Sequence, residues 1–212
     1  MFTGQLFRCI RTEKGSQKLA YTLQMADFGL ELDASILNDE PIQREKVLLW
    51  IESANDLSTL AKLYKLTGEA YNRIQPDLGM EVTCGLIQRY LLECIREDVS
   101  GDEEIEGRWE AARTLHVWFC HLLEAKGASA VLARAARAVT DLYIASGEEV
   151  RNAIEQGFLE HVLETVALRQ YFENWASDPR LRVAWERALK WGEAHPDYTW
   201  GLLRELRDKQ RG

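Results

Sequence analysis

Residues 129–165 read SAVLARAARAVTDLYIASGEEVRNAIEQGFLEHVLET, and this stretch decides the fold class. In its first half the apolar side chains recur every three or four residues, which is the period of one face of an α-helix. The second half resumes that spacing after the short connection 146–149, where Ser146 and Glu149 have the spacing of a capping box. Helices joined by so short a connection pack as an antiparallel hairpin. The stretch therefore predicts a helical hairpin.

The helical period extends over most of the chain. Beyond a weaker segment at about 5–27, a stretch at 28–38 with alternating Leu30 and Leu32 is expected to be a loop or a short extended piece. Further helices are predicted at about 41–54, 55–75, 79–98, 100–126, 168–175, 179–194 and 197–206. The prediction is an all-α fold of about 9–10 helices, a bundle or a short hairpin stack, without a significant sheet. We expect one domain over 1–212, with sub-layers possible at about 1–99 and 100–212.

Composition and cysteine usage predict a globular protein of the cytoplasm. Of the 212 residues, 46% are hydrophobic and 28% are charged, which is ordinary for a chain that buries a core. Cys9, Cys84, Cys94 and Cys120 form no C-x-x-C pair, a distribution typical of reduced thiols rather than of a disulfide framework. The first 18 residues lack the pattern of a signal peptide, and no apolar run reaches the length that spans a membrane.

The charge balance disfavours nucleic acid as a partner. The formal net charge is −8 and the pI is about 5.2, so a phosphate backbone would be repelled. The nearest candidate for a helix-turn-helix is 58–75, but Ala61 and Gly68 are seven positions apart where that motif needs about four, and few basic residues follow. A protein partner with a basic surface is electrostatically easier to bind.

Two histidines interrupt otherwise apolar helical stripes. Cys120 follows His116 by four residues and Glu164 follows His161 by three, so each pair lies on one helix face. The functional interpretation is a buried polar site that holds a ligand or a metal in a helical bundle enzyme. A di-metal carboxylate bundle needs Glu-x-x-His on two helices, and no Glu precedes either His by three. The structural interpretation is a pair of hydrogen-bonded core histidines.

A possible interaction surface comes from acidic and aromatic residues. Acidic side chains crowd the junction between two predicted helices, and they could dock a basic partner or stabilise a helix N-terminus; they include Glu93, Glu97, Asp98, Asp102, Glu103, Glu104 and Glu106. The junction lacks the ligand spacing of a calcium loop. Trp118 and Trp191 lie off the main apolar stripes of their helices, so they are candidates for an interface hot spot.

No motif specifies a reaction or a cofactor. The sequence contains no G-x-S-x-G elbow, no Walker A loop and no G-x-G-x-x-G after a strand, so we assign no catalytic residue, metal or cofactor.

The hairpin at 129–165 resembles a HEAT or armadillo-type helical repeat. The similarity lies in the tight turn and the start of the second helix, Gly147-Glu-Glu-Val-Arg151-Asn-Ala153, and no second copy follows at a fixed period. Such repeats stack into broad surfaces that bind other proteins. The resemblance and the charge together favour a non-enzymatic interaction module of bacterial type: a regulator, an adaptor, or an inhibitor that neutralises a basic toxin or nuclease as some immunity proteins do. The alternative is the bundle enzyme with a site near His116 and His161.

Overall fold

Most of the chain is α-helical in the computed structural model, which describes residues 31–38, 40–99, 104–199, 201, 202, 205 and 209. This confirms the all-α prediction, since β-structure in the described part amounts to one pair of two-residue strands. The contacts divide the chain into two compact units, residues 1–77 and 78–212. The single domain with sub-layers at 1–99 and 100–212 stays a prediction.

The first unit combines short helices with the strand pair. Its elements are α1 (residues 31–37), β1 (Ile42–Gln43), α2 (Arg44–Ser53), α3 (Leu57–Glu69), a 3-10 turn (Tyr71–Arg73) and β2 (Ile74–Gln75). The strands are parallel, with Ile42 opposite Ile74. Helix α3 begins where the sequence predicts, because the Asp56 carboxylate accepts a hydrogen bond from the backbone N–H of Thr59 at 2.8 Å.

Two predictions in the first unit were wrong. Residues 31–37 are helical rather than a loop, because Leu32 is fully buried and the neighbouring Asp33 accepts a hydrogen bond from Lys62 of α3 at 2.6 Å. The helix expected to reach residue 75 ends at Glu69, and the residues beyond the 3-10 turn pair with β1 instead. That pairing joins residues 32 positions apart, which local periodicity does not register. The weak segment predicted at 5–27 lies outside the described residues.

The second unit is built from helices alone. Its elements are α4 (Met80–Glu97), α5 (Arg108–Glu124), α6 (Ser129–Ala145), α7 (Glu148–Ile154), a π-helical turn (Glu155–Leu159), α8 (Glu160–Glu164), α9 (Val166–Arg169), a 3-10 turn (Glu173–Ala176) and α10 (Arg182–Ala194). Residues 198 and 199 begin a further helical segment. Helix α5 is central: it packs against α4, α6, α7, the π turn and α8, while α10 packs against α8.

An aromatic cluster forms the core of the second unit. Phe119, Phe158 and Phe172 are fully buried, with the rings of Phe119 and Phe158 edge to face at 5.0 Å between centroids. Trp175 is also fully buried, and its indole N–H donates to the Thr140 hydroxyl at 2.8 Å. The buried indole nitrogen is therefore hydrogen-bonded, so burying it carries no penalty for an unpaired donor.

The starts of α5 and α7 differ from those predicted from capping-box spacing, which Ser100 and Glu103 show before α5 and Ser146 and Glu149 show at α7. Ser100 and Glu103 lie outside the described residues, and α5 begins later than predicted, at Arg108, after Gly107 with a φ of 81°. For α7, the N-cap is Gly147, and within the described chain no side chain hydrogen-bonds that cap. The carboxylate of Glu149 instead accepts from Arg108 at 3.0 Å, so a contact across helices replaces the local one.

Candidate functional site

The four residues predicted as a buried polar site lie together in the second unit. His116 and Cys120 come from α5, and His161 and Glu164 come from α8, which packs against it. The Sγ of Cys120 is 3.3 Å from Nε2 of His116, and Nδ1 of His161 is 2.8 Å from Oε1 of Glu164. The two imidazole rings are 5.5 Å apart between centroids. We call these four residues the histidine cluster. Each pair forms within one helix, and the packing of α5 against α8 brings the two pairs together.

Glu164 organises the histidine cluster. Its side chain is 1% exposed, and both carboxylate oxygens accept hydrogen bonds. Oε1 accepts from His161 Nδ1 and from the indole N–H of Trp191 at 3.2 Å, while Oε2 accepts from the backbone N–H of Thr199 at 2.9 Å. The Glu164 carbonyl also accepts from the N–H of Asp197 at 3.1 Å. Glu164 thus ties α8 to α10 and to the segment after it.

Sequence reasoning missed the partners of Glu164. Trp191 and Thr199 lie 27 and 35 positions from Glu164, so no periodicity relates them. Trp191 was predicted as part of an interaction surface, and its side chain is 41% exposed. Its N–H nevertheless points to the buried carboxylate, and its ring stacks on His195 at 4.1 Å. The signal available in sequence was only that Trp191 lies off the apolar stripe of its helix.

The electrostatics of the histidine cluster favour fixed charge states. Burial raises the pKa of Glu164, but hydrogen bonds from His161, Thr199 and Trp191 outweigh it and bring that pKa down to about 2. Burial and, to a smaller extent, the neighbouring His161 lower the pKa of His116 to about 4, against a smaller opposing effect of Glu164. Near neutral pH the carboxylate is therefore ionised and His116 is neutral.

The pKa values of Cys120, Glu164 and His116 do not suit these three groups to acid–base or nucleophilic chemistry near neutral pH. Burial raises the pKa of the Cys120 thiol to about 12, with Glu164, Asp197 and Glu124 adding to the effect, so the reactive thiolate is scarce. A general base works best with a pKa near the operating pH, and neither Glu164 nor His116 meets that condition. In the described part of the chain, no group of three His, Cys, Asp or Glu side chains is placed to hold a metal ion.

A second buried carboxylate lies in the π turn. Glu155 accepts from the Tyr143 hydroxyl at 2.6 Å and pairs with Arg187 at 2.6 Å. Burial and this hydrogen bond raise the pKa of Tyr143 above its usual value. The turn approaches α5 closely at Gly157, where an added Cβ would lie 2.8 Å from the Cβ of Ala112. Nothing in the sequence pattern indicated this group, because Tyr143, Glu155 and Arg187 come from three different elements.

The acidic residues predicted as an interaction surface lie around Arg108. Among the described ones, Glu97, Asp98, Glu104 and Glu106 are exposed, and we call these four the acidic junction. The guanidinium of Arg108 is largely buried; its Nε donates to the carbonyl of Ile95 at 3.1 Å. The backbone N–H of Arg108 donates to Asp98 at 3.0 Å. Asp102 and Glu103 lie outside the described residues, and the remaining candidate, Trp118, is half-buried against Phe119.

The comparisons and the search for membrane spans gave negative results. Over the described residues, no helix combines the length and the apolar character needed to cross a bilayer. No protein-family model, no curated protein and no solved structure matches this chain.

Proposed function

We propose that this protein is a non-enzymatic interaction module that binds a basic partner protein through the acidic junction. One observation carries the proposal: residues 93–110 contain eight acidic side chains and two arginines, a net charge of −6 out of the −8 of the whole chain. Charge so concentrated produces a local potential that attracts a partner of opposite sign and speeds its association.

The contacts of Arg108 support the proposal because they join the end of α4 to the starts of α5 and α7. Arg108 binds the carbonyls at the end of α4, the Glu149 carboxylate and, through its backbone, Asp98. The exposed residues Glu97 and Glu106 lie within two positions of Asp98 and Arg108 in the chain. Elements that are already held together lose less conformational entropy when a partner binds.

The histidine cluster supports an interaction role over the alternative enzyme. The Glu164 carboxylate already accepts hydrogen bonds on both oxygens. The Cys120 thiol and the His116 imidazole have pKa values far from neutrality. Such a group stabilises the fold without offering an open position to a substrate. The partner could be one that the protein regulates, one that it links to a third protein, or a basic toxin or nuclease that it inhibits.

Affinity capture with matched charge variants tests the proposal. The tagged full chain would be compared with a junction variant, Glu97→Gln with Glu104→Gln and Glu106→Gln, in captures from native lysate of its source. The control removes the same charge from exposed positions elsewhere in the second unit, through Glu173→Gln, Glu186→Gln and Glu193→Gln. Retained proteins are identified by mass spectrometry, and thermal melting checks that all three proteins fold.

We expect a basic protein to be retained by the wild type and by the control but not by the junction variant, because the control keeps the local potential. High salt should weaken the retention, since exposed charges are screened. A partner that the junction variant and the control retain equally would contradict the proposal.

A further inference from the structure

An apolar groove lies beside the acidic junction. It has a volume of about 630 Å³ and is formed by the second half of α4, the second half of α6 and the start of α7. Its apolar lining consists of Leu92, Ala138, Leu142, Ala145 and Val150, and we call these five residues the groove. All of them belong to the second unit.

The lining of the groove offers a stripe of small apolar residues against which a helix can pack. Leu92, Leu142 and Val150 are nearly buried and form its floor, while Ala138 and Ala145 are more exposed. Ala138, Leu142 and Ala145 follow one another at i, i+4 and i+7, so they form one stripe along α6. Small side chains along such a stripe let the backbone of a second helix approach closely.

The rim of the groove is acidic. Asp141 is exposed and contributes to the lining, and Glu148 and Glu149 are exposed directly after Gly147 at its end. Arg96 also lines the groove, but its guanidinium is neutralised by Glu93, whose two oxygens accept from it at 3.0 and 2.9 Å. Glu149 in turn binds Arg108, the residue around which the acidic junction is built.

We propose that the groove receives the apolar face of a basic amphipathic helix that belongs to the partner protein. The apolar side chains of that helix enter between Leu92, Leu142 and Val150, and its Lys or Arg side chains meet Asp141, Glu148 and the acidic junction. Recognition of an amphipathic helix in a groove combines these two contributions. The inference rests on the proposed function and adds to it the secondary structure and the apolar face of the partner's binding segment.

Peptide binding to the full chain tests the inference. The probe is a fluorescein-labelled Leu/Lys peptide of about 15 residues with leucines at i, i+3, i+4 and i+7, a length at which helices become marginally stable. A permuted peptide of the same composition spreads the leucines around the helix. Ala145→Trp fills the groove from an exposed position, and Ala138→Trp is a second filling variant. Ala130→Trp adds the same side chain to an exposed position at the other end of α6.

In anisotropy titrations we expect the wild type to bind the amphipathic peptide with a dissociation constant about tenfold lower than that of the permuted peptide. A tenfold ratio corresponds to the loss of one apolar anchor contact. Ala145→Trp and Ala138→Trp should remove that difference, whereas Ala130→Trp should keep it. Equal binding of both peptides to the wild type, or a preference that survives both filling variants, would overturn the inference. A dimer of the wild type that Ala145→Trp dissociates in sedimentation would also overturn it, since a second copy would then occupy the groove.

The junction variant separates this inference from the proposed function. If the junction variant loses affinity for both peptides while the filling variants bind both peptides as the wild type does, the acidic junction binds basic partners and the helix-in-groove inference fails. If it binds both peptides as the wild type does while Ala145→Trp abolishes the preference, the groove is supported and the acidic junction is not the binding surface.

Discussion

The second unit buries two carboxylates nine residues apart, and it stabilises them in different ways. Glu155, in the π turn, pairs with the cation Arg187, whose side chain is 63% exposed, and accepts from Tyr143. Glu164, at the end of α8, is held among the described residues by His161, Trp191 and a backbone N–H rather than by an arginine or a lysine. Glu155 thus forms an ion pair with a largely exposed cation, whereas the Glu164 carboxylate is stabilised by several hydrogen-bond donors.

This difference shows what each carboxylate does for the fold. The partner of Glu155 can turn to water if the carboxylate is removed, so the cost of losing it is limited. The donors around Glu164 come from three separate segments and would lose an acceptor inside the protein. Glu164 therefore holds α10 and the residues up to Thr199 against α8, while Glu155 links the π turn to Arg187 of α10.

Removing Glu164 should give the largest loss of stability. We expect Glu164→Ala to lower the free energy of unfolding by about 3 kcal/mol, because the partly buried donors of Trp191 and Thr199 lose their charged acceptor. Urea unfolding followed by circular dichroism measures it. The control Glu173→Ala, at an exposed position, should stay within about 0.5 kcal/mol of the wild type. If Glu164→Ala lowered the free energy of unfolding no more than Glu173→Ala does, the stabilising role that we assign to Glu164 in contrast to Glu155 would be wrong.

Acid should weaken the fold through His116 before it affects Glu164. The folded pKa of His116 is about 4 against 6.5 unfolded, so the stability of the neutral form is complete above pH 6.5 and is lost as the pH falls through 4. The loss amounts to at most about 3 kcal/mol. Glu164, with its pKa lowered to about 2, adds a loss only below about pH 4.5.

His116→Gln checks this order, because glutamine does not titrate. Urea unfolding from pH 7 to pH 4 should show a flatter decline of stability for His116→Gln than for the wild type. Identical slopes would show that His116 does not control the acid response, and Cys120, His161 and Glu164 around it would need to be compared in turn.

Glycines at the two carboxylates should respond according to what they touch. An added Cβ at Gly192 would overlap the carbonyl of Leu163 and lie 2.8 Å from the backbone nitrogen of Glu164, whereas at Gly157 it meets the Ala112 side chain. We expect Gly192→Ala to lower the free energy of unfolding by about 2–3 kcal/mol and Gly157→Ala by less, since three backbone atoms lie within 2.8 Å of the added Cβ at Gly192 and a single atom does at Gly157.

Gly85→Ala is the matched control for the glycine variants. Apart from its own helix, no described atom lies within 4 Å of a Cβ at Gly85, so alanine should stabilise α4 by about 0.5–1 kcal/mol. Thermal melting compares the three variants. Equal effects of Gly192→Ala and Gly85→Ala would contradict the close approach of α10 to α8.

Glu155→Gln should have the smallest effect of the series. Glutamine keeps an acceptor for the Tyr143 hydroxyl and loses only the attraction of the exposed Arg187, so we expect a loss of about 1 kcal/mol. The same urea titration measures it, and raising the salt concentration should shrink the difference from the wild type. A loss as large as that of Glu164→Ala would mean that both carboxylates hold the fold equally.

Local spacing determined a large part of the architecture. The hairpin of α6 and α7, the start of α3 at Asp56 and the burial of His116 all follow from periods of three and four residues or from a capping residue. The pairs His116–Cys120 and His161–Glu164 also follow from such spacing, since each lies within one helical turn. These features depend on contacts that the chain makes with itself over a few residues.

The tertiary structure decided the rest. It paired β1 with β2, moved the start of α5 to Arg108, joined the two histidine pairs and brought Trp191 and Thr199 to Glu164. Each of these features depends on packing between segments that are far apart in the chain. Many pairs of distant residues are compatible with the same helical periodicity, so the periodicity does not show which pair meets. The sequence by itself therefore determined where the chain is helical and which faces are apolar, while the packing of helices determined which polar groups meet, because hydrophobic burial is non-directional and hydrogen bonds are not.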